Sequence, residues 1–337
     1  MNLLSRLNWL RALELKRHFA SVLLAMMALG IHTAAFTQTY PTKPIRVIVN
    51  STPGGLTDVV ARLVGDRMSQ ALRQPMVIDN RPGVFGLLGA ELVARAEPDG
   101  YTLGVVFGNS ITSSPYLVAK SPFDPSKAFT HVALIMSSPN VMVTNINSPY
   151  QTLAQFVADA KAKPGQISLA SGGNGTQGHL HLEMLQAAAG LQVIHVPYKG
   201  GAPALNDVLA GHVPAFFDTL PTSTKFIQDN GLRALGIVAP KRSPAIPNVP
   251  TFAELGYPAV QGMAWFAIVA PANTPREIVT KLNEEANKAL SAPDVRERIV
   301  ALGGIVEGGP PSVLAELVRN EIPLYVKLIQ DRGIKAQ

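Results

Sequence analysis

The chain has 337 residues, enough for two domains of ordinary size, each with its own core. Its 29 Lys and Arg against 23 Asp and Glu give a formal net charge of +6, but the basic residues are scattered, without runs or interleaved aromatics. The electrostatic footprint of a nucleic-acid binder is therefore missing. There is no cysteine, which excludes disulfides and a lipid-anchored cysteine, so stability has to come from core burial.

Residues 1–35 read as an export signal. Arg6, Arg11, Lys16 and Arg17 precede an apolar run from Phe19 to Ile31. That run is too short for the roughly 20 residues a bilayer span needs, and it fits the apolar region of a secretory leader. Small residues at Thr33, Ala34 and Ala35 suit signal peptidase, which places cleavage after Ala35. The expected product is a freely soluble protein of the periplasm. Without the leader, 25 bases face 22 acids, a net of +3, and this mild balance suits an anionic ligand.

From Lys43 onward short β-branched runs alternate with helical patterns, the rhythm of parallel βαβ units. Ile45–Val49 is the first predicted strand, and it ends in the turn 51–55. Val60, Leu63, Val64, Met68 and Leu72 then recur at helical spacing. A strand at 76–79 precedes the turn Asn80-Arg81-Pro82-Gly83 and a small-residue helix. The next strand, Tyr101 to Phe107, opens into Gly108-Asn109-Ser110, and two apolar runs fill 131–144.

A second series begins near Thr152, with a helix carrying Leu153, Phe156, Val157 and Ala160. The strand 167–170 leads into Ser171-Gly172-Gly173-Asn174-Gly175-Thr176 and a helix to Gly190. Val193 to Val196 gives way to Pro197-Tyr198-Lys199-Gly200-Gly201 and another helix, and the strand 213–217 ends at Asp218. After the strand 234–238 come five prolines within 240–258, too many for an element interior. The strand 265–269 and two helices, at about 275–291 and 311–331, finish the chain.

A strand that ends in a glycine-rich loop and opens a helix occurs three times, at 49–58, 79–90 and 170–180. The first N–H groups of a helix lack intrahelical partners and sit at the positive end of its dipole, and glycine lets a ligand approach them closely. One such loop is adequately explained by turn chemistry. Three of them, spread over two expected lobes, point to a cleft that grips an anion from both sides.

Gly173-Asn174-Gly175-Thr176-Gln177-Gly178 matches the dinucleotide fingerprint in form. The acidic residue due at the end of the next strand is absent, because that strand ends at His195-Val196-Pro197. Of His179, His181 and Glu183 only His179 and Glu183 share a helix face, and no third metal ligand is evident. Ser110 and Ser171 have no assignable base or orienting group, and G-x-S-x-G is absent. Thr57 and Asp58 suit a helix start through capping and the dipole. Asn109 and Tyr198 read as turn and rim residues when taken alone, and Asp218 reads equally as a ligand-facing acid or a solvated loop residue.

At these loops the sequence resembles the Bug-type solute receptors of tripartite tricarboxylate transporters, over essentially all of residues 40–335. The blocks that carry the likeness start with Tyr40-Pro41, the segment 43–49, Gly54-Gly55 with Thr57-Asp58, and Ala61-Arg62. They continue with Asn80-Arg81-Pro82-Gly83, the segment 98–103, Ser171-Gly172-Gly173-Asn174-Gly175 with His179-Leu180, and 195–200. Arg242-Ser243-Pro244, 247–251 with Glu254 and Gly256, Ala270-Pro271 and Thr274-Pro275 complete the series. The chain departs from the family where Asn50-Ser51 replaces Pro-Phe and where Gly83-Val84-Phe85-Gly86 replaces Gly-Ala-Gly-Gly.

The resemblance implies an α/β, type II periplasmic-binding fold of two α/β lobes joined by two crossing strands, with lobe 1 over 36–138 plus 265–337 and lobe 2 over 139–264. It implies a carboxylate held between the lobes by backbone groups and bridging waters. On the first lobe the expected ligand-binding residues are Ser51, Thr52, Gly54, Gly55, Thr57 and Asp58, with Asn109 and Ser110. On the second they are Ser171, Gly173, Asn174, Gly175, Thr176 and His179, with Tyr198 and Asp218. The expected function is capture of a small mono- or dicarboxylate for the membrane subunits of a transporter, by a monomer without enzymatic activity, cofactor or metal. The rival is a protein that presents its ligand to a sensor kinase.

Overall fold

The computed structural model describes residues 40–335, so the expected leader, residues 1–35, lies outside the described residues. Everything below concerns the unit that begins at Lys43. β1 (Ile45–Val49) pairs in parallel with β2 (Met76–Asn80) and β3 (Thr102–Phe107), with Val47 opposite Ile78 and Leu103. Ile45, Val47, Ile48 and Val49 are all buried, as an apolar run must be when both faces of a parallel strand are covered.

Between β1 and β2 runs α1 (Leu56–Leu72), which starts from an extended Gly55 and stops at Arg73 in the left-handed region. Val60, Val64, Met68 and Leu72 of the predicted stripe are buried together with Ala61, while Leu63 is only half-buried. α2 (Leu87–Ala94) returns from β2, and a four-residue α3 (Asn109–Thr112) follows β3. The first sheet is completed by β4 (Phe129–Ser138), β10 (Ala264–Pro271) and β11 (Ile305–Val306), in the order β11-β4-β10-β3-β1-β2.

A second sheet contains β5 (Asn140–Asn145), β6 (Ser168–Ser171), β7 (Ile194–Pro197), β8 (Phe216–Thr219) and β9 (Leu232–Val238), in the order β7-β6-β8-β5-β9. Its helices are α4 (Leu153–Ala162), α5 (Gln177–Ala189), α6 (Gly201–Leu209) and α7 (Leu220–Gln228). Thr152 caps α4 in a full capping box with Gln155. Apart from α7, which the sequence does not announce, this is the expected alternation.

Only Pro139 separates β4 of the first sheet from β5 of the second, and the chain returns from β9 to β10 through 239–263. The fold is therefore α/β with two lobes, each built on one sheet. Register fixes which strand ends face the junction. Ser138 lies opposite Ala264, with Phe107 of β3 opposite Phe266 close by, while Asn140 lies opposite Thr219 and Val238. The C-terminal ends of the parallel strands of both sheets thus meet at the gap between the lobes, where open α/β sheets place their ligands.

At the C-terminus α8 (Arg276–Ser291) and α10 (Pro311–Arg332) match the two predicted helices, but α9 (Pro293–Ala301) is a third. It buries only Val295 and Ile299, too weak a stripe to read, and Pro293 at its first turn resembles a break. α10 belongs to both halves of the molecule. Leu314 and Val318 pack with Ile48, Val106 and Trp265, whereas Tyr325, Leu328 and Ile329 pack with Leu180 and Phe217. Pro323 lies between the two groups.

Candidate ligand-binding cleft

The loop after β1 wraps around one carboxylate. Asp58 is buried at the start of α1 and accepts hydrogen bonds from Gly54 N–H at 2.9 Å, Arg62 Nε at 3.0 Å and Asn80 Nδ2 at 2.9 Å. Asn80 Nδ2 also donates to Ser51 O at 3.1 Å. Burial pushes the Asp58 carboxyl up, but Arg62, the Gly54 N–H and Asn80 outweigh it and hold the group below its ordinary value. Asp58 is thus committed to shaping its own loop. Ser51 and Gly55 are partly exposed, Thr52 and Gly54 are exposed, and Thr57 is buried. Gly54, at φ +79°, makes the bend.

Asn50 stands where the family resemblance leads one to expect proline. It is buried, its Nδ2 donates to Ser110 Oγ at 2.7 Å, and its Oδ1 accepts from Phe107 N–H. Ser110 is buried too and donates to Phe107 O at 2.6 Å. This pair fastens the end of β1 to α3. Asn109 and Ser110, expected in a loop, form the first turn of that short helix.

Across the junction, the loop after β6 is organised by buried His179 and half-buried His195, which stack on each other with ring centroids 3.8 Å apart. His179 Nδ1 accepts from Gly175 N–H at 3.0 Å, so it carries no proton there, and Nε2 faces Glu183 at 3.7 Å. Glu183 in turn pairs with Arg332 at 2.6 Å. Its burial would raise the carboxyl, yet His179 and Arg332 hold it below the ordinary value. His195 Nε2 lies 2.7 Å from Ser171 Oγ, and burial together with the adjacent His179 depresses it to about 4.

The Ser171–His195 contact corrects the sequence reading, which assigns Ser171 no base. Leu169 lies opposite His195 in the β6–β7 register, a non-local pairing that no local pattern announces. The serine is nevertheless fully buried, and its hydroxyl both donates to Gly173 O and accepts from Gly173 N–H at 3.1 Å. That geometry shapes a loop and leaves no approach for a substrate carbonyl.

Thr176 begins α5 in an extended conformation, and its hydroxyl donates to Gly173 O at 2.7 Å. Asn174 and Gly173 are partly exposed at the tip, while Gly175 is buried. The two lobes touch here, because Asn109 Nδ2 reaches Gly175 O at 3.5 Å and a Cβ on Gly175 would come within 2.1 Å of Leu117. Among the described residues no hydrogen bond joins the 51–58 loop to the 171–179 loop. The structure brings together Asn109, Gly175 and His179, and places 51–58 as a separate wall.

Asp218, at the end of β8, is buried and accepts from Thr219 N–H at 2.7 Å and Ser223 Oγ at 2.6 Å. Burial raises it to about 6, against the pull of those two donors. A Cβ on Gly201, at the start of α6, would lie 3.3 Å from its Oδ1. Of its two sequence readings, the solvated one is overturned by this burial. Tyr198 donates to Asp207 Oδ2 at 2.5 Å, and burial with that carboxylate pushes its hydroxyl up to about 12. Among the described residues no group of His, Cys, Asp and Glu is arranged to hold a metal ion.

A model of the tripartite tricarboxylate transporter family receptors matches residues 60–334. Protein BugT of Bordetella pertussis is 34% identical over 328 residues, covering 96% of this chain and 99% of BugT. MatC of Rhodopseudomonas palustris, solved with bound malate, is 33% identical with a TM-score of 0.74, covering 86% of this chain and 100% of MatC. R. palustris Rpa4515, solved with adipate, is 32% identical with a TM-score of 0.76, covering 88% and 99%.

Proposed function

The chain belongs to the tripartite tricarboxylate transporter receptor family, periplasmic solute-binding proteins rather than enzymes, and from that premise we propose that it captures a small mono- or dicarboxylate between its two lobes. The observation that carries the reading is that two glycine-rich helix starts, at 54–58 on one lobe and 174–179 on the other, each follow a parallel strand that ends toward the gap between the sheets. No Lys or Arg belongs to the proposed set, so the anion is held by backbone N–H dipoles. Asp58 and His179 already occupy Gly54 N–H and Gly175 N–H, and Thr52 O and Gly173 O occupy Gly55 N–H and Thr176 N–H, which leaves the first N–H groups inside each helix for the ligand. Asn109, Ser110, Tyr198 and Asp218 shape the remainder of the pocket. Malate and adipate in the two solved relatives support the ligand class.

In the same proposal the lobes are 36–138 with 265–337 and 139–264, the leader is cleaved after Ala35, and the monomer delivers its ligand to membrane transporter subunits. A thermal-shift panel on residues 36–337 tests the ligand class. A carboxylate present at a hundredfold excess over its Kd raises the melting temperature by about 5–10 °C. A panel in which only neutral sugars or amines stabilise the protein contradicts the reading.

A further inference from the structure

Beneath the 174–179 loop a buried polar chain runs between the two lobes, and none of its side chains belongs to the proposed ligand contacts. It starts at Trp265, next to the second crossing, whose Nε1 donates to Glu321 Oε2 at 2.9 Å. One helical turn further along α10, Tyr325 OH accepts from Gln177 Nε2 at 3.1 Å, and Gln177 is the first residue of α5. The Gln177 amide is also 3.0 Å from His181, whose Nε2 donates to Gly262 O at 2.9 Å. Tyr325 and His181 have no exposed surface, and Trp265, Glu321 and Gln177 are each under a tenth exposed.

The two ends of this chain touch the two walls of the cleft. At one end the Trp265 ring lies so close to Gly108 that a Cβ there would come within 2.3 Å of it, and Gly108 directly precedes Asn109. At the other, Gln177 directly follows Thr176. Apolar packing alone tolerates sliding, whereas buried polar groups lose free energy as soon as their partners move away. Resting on the carboxylate-receptor reading, we propose that Trp265, Glu321, Tyr325 and Gln177 are positioning residues that register the 174–179 loop of one lobe on the Gly108–Asn109 turn of the other.

The charge state of Glu321 governs the strength of this link. Burial raises its carboxyl to about 7, against the pull of Trp265, Thr112 and Tyr325, and its Oε1 lacks a hydrogen-bond partner. Among the described residues no cation pairs with it. β4 brings His131, which burial and Arg319 hold low; α5 brings His181, depressed to about 4 by burial, and Glu183, already paired with Arg332. His179 is engaged with Gly175 and Glu183, and α3 and β10 carry no charged residue. Opening the link lets this carboxyl ionise near its ordinary 4.5, whereas burial in the closed link keeps it neutral up to about 7. The link is therefore strongest below about pH 4.5 and weakens as pH rises from there to about 7.

Hydrogen exchange on residues 36–337 without ligand, corrected for intrinsic rates, tests this directly. Tyr325→Phe speeds exchange at 174–178 and 108–113 together by about tenfold, with α8 unchanged. In the wild type the protection of both loops falls as pH rises from about 4.5 to 7 and is level above, and Glu321→Gln keeps the protection and removes that fall. Unchanged loops in Tyr325→Phe, or a wild-type pH dependence in Glu321→Gln, overturn the proposal. Should Tyr325→Phe fail to fold, the Glu321→Gln profile decides alone. Titration of the same proteins with malate and adipate keeps the two readings apart, because a wild type that binds neither counts against the receptor reading while the exchange data still judge the link.

Discussion

Asp218 keeps its carboxyl among Ser223, Thr219 and the start of α6, and it ionises at about 6 because burial disfavours the charge. The unfolded chain ionises near 3.8, so the unfolded state binds fewer protons between these values and stability falls as pH rises from about 4 to 6. Asp218→Asn removes this dependence. In a melting series from pH 4 to 7 the wild type loses on the order of 2–3 kcal/mol from this group, whereas the variant is flat apart from other groups. Parallel curves for the two proteins would contradict the assignment. The position of Asp218 at a strand end was legible in the sequence, and its burial was not, since α7 closes over it without a strong pattern of its own. Likewise Asp58 and His179 were recognisable as helix-start residues. That they clamp Gly54 and Gly175 depends on loop geometry and on Asn80, 22 residues away.

The strands β1, β3, β6 and β10 were legible as short apolar runs because both their faces are covered, and α1, α4 and α8 as helical patterns because each buries one well-defined face. Weakly patterned elements escaped. α7 buries little beyond Leu220 and Ser223, and α9 opens on a proline and carries four charged residues among its nine. The sharing of α10 between two cores follows from packing on each side of Pro323 and has no sequence signature. At this scale Gly175 is the sensitive point. It sits at φ +70° against Leu117 of the other lobe, so Gly175→Ala adds about 1–2 kcal/mol of left-handed strain as well as a steric clash at the lobe contact. Calorimetric titration with a carboxylate that binds the wild type should show affinity weakened by at least about tenfold, with the melting temperature of the free protein lowered by only a few degrees. Wild-type affinity in this variant would show that the Gly175–Leu117 contact plays no part in closure.

Two sheets joined at Pro139 and through 239–263 leave space beside the crossing strands. The side that holds the glycine loops is the proposed cleft. A groove of about 740 Å³ also borders the crossing, lined by Pro139, Leu220, Lys241, Arg296, Val300 and Ile305 among others, where a Cβ on Gly303 would come within 2.6 Å of Pro221. Its volume and basic rim make it the natural competitor for an anion. The decisive measurement is a crystal structure of residues 36–337 with the carboxylate that stabilises the protein most. The receptor reading predicts carboxylate oxygens within about 2.7–3.2 Å of backbone N–H groups, directly or through one water, from both 54–58 and 174–179. A ligand seated in that groove, or held by the loop of one lobe alone, would contradict it.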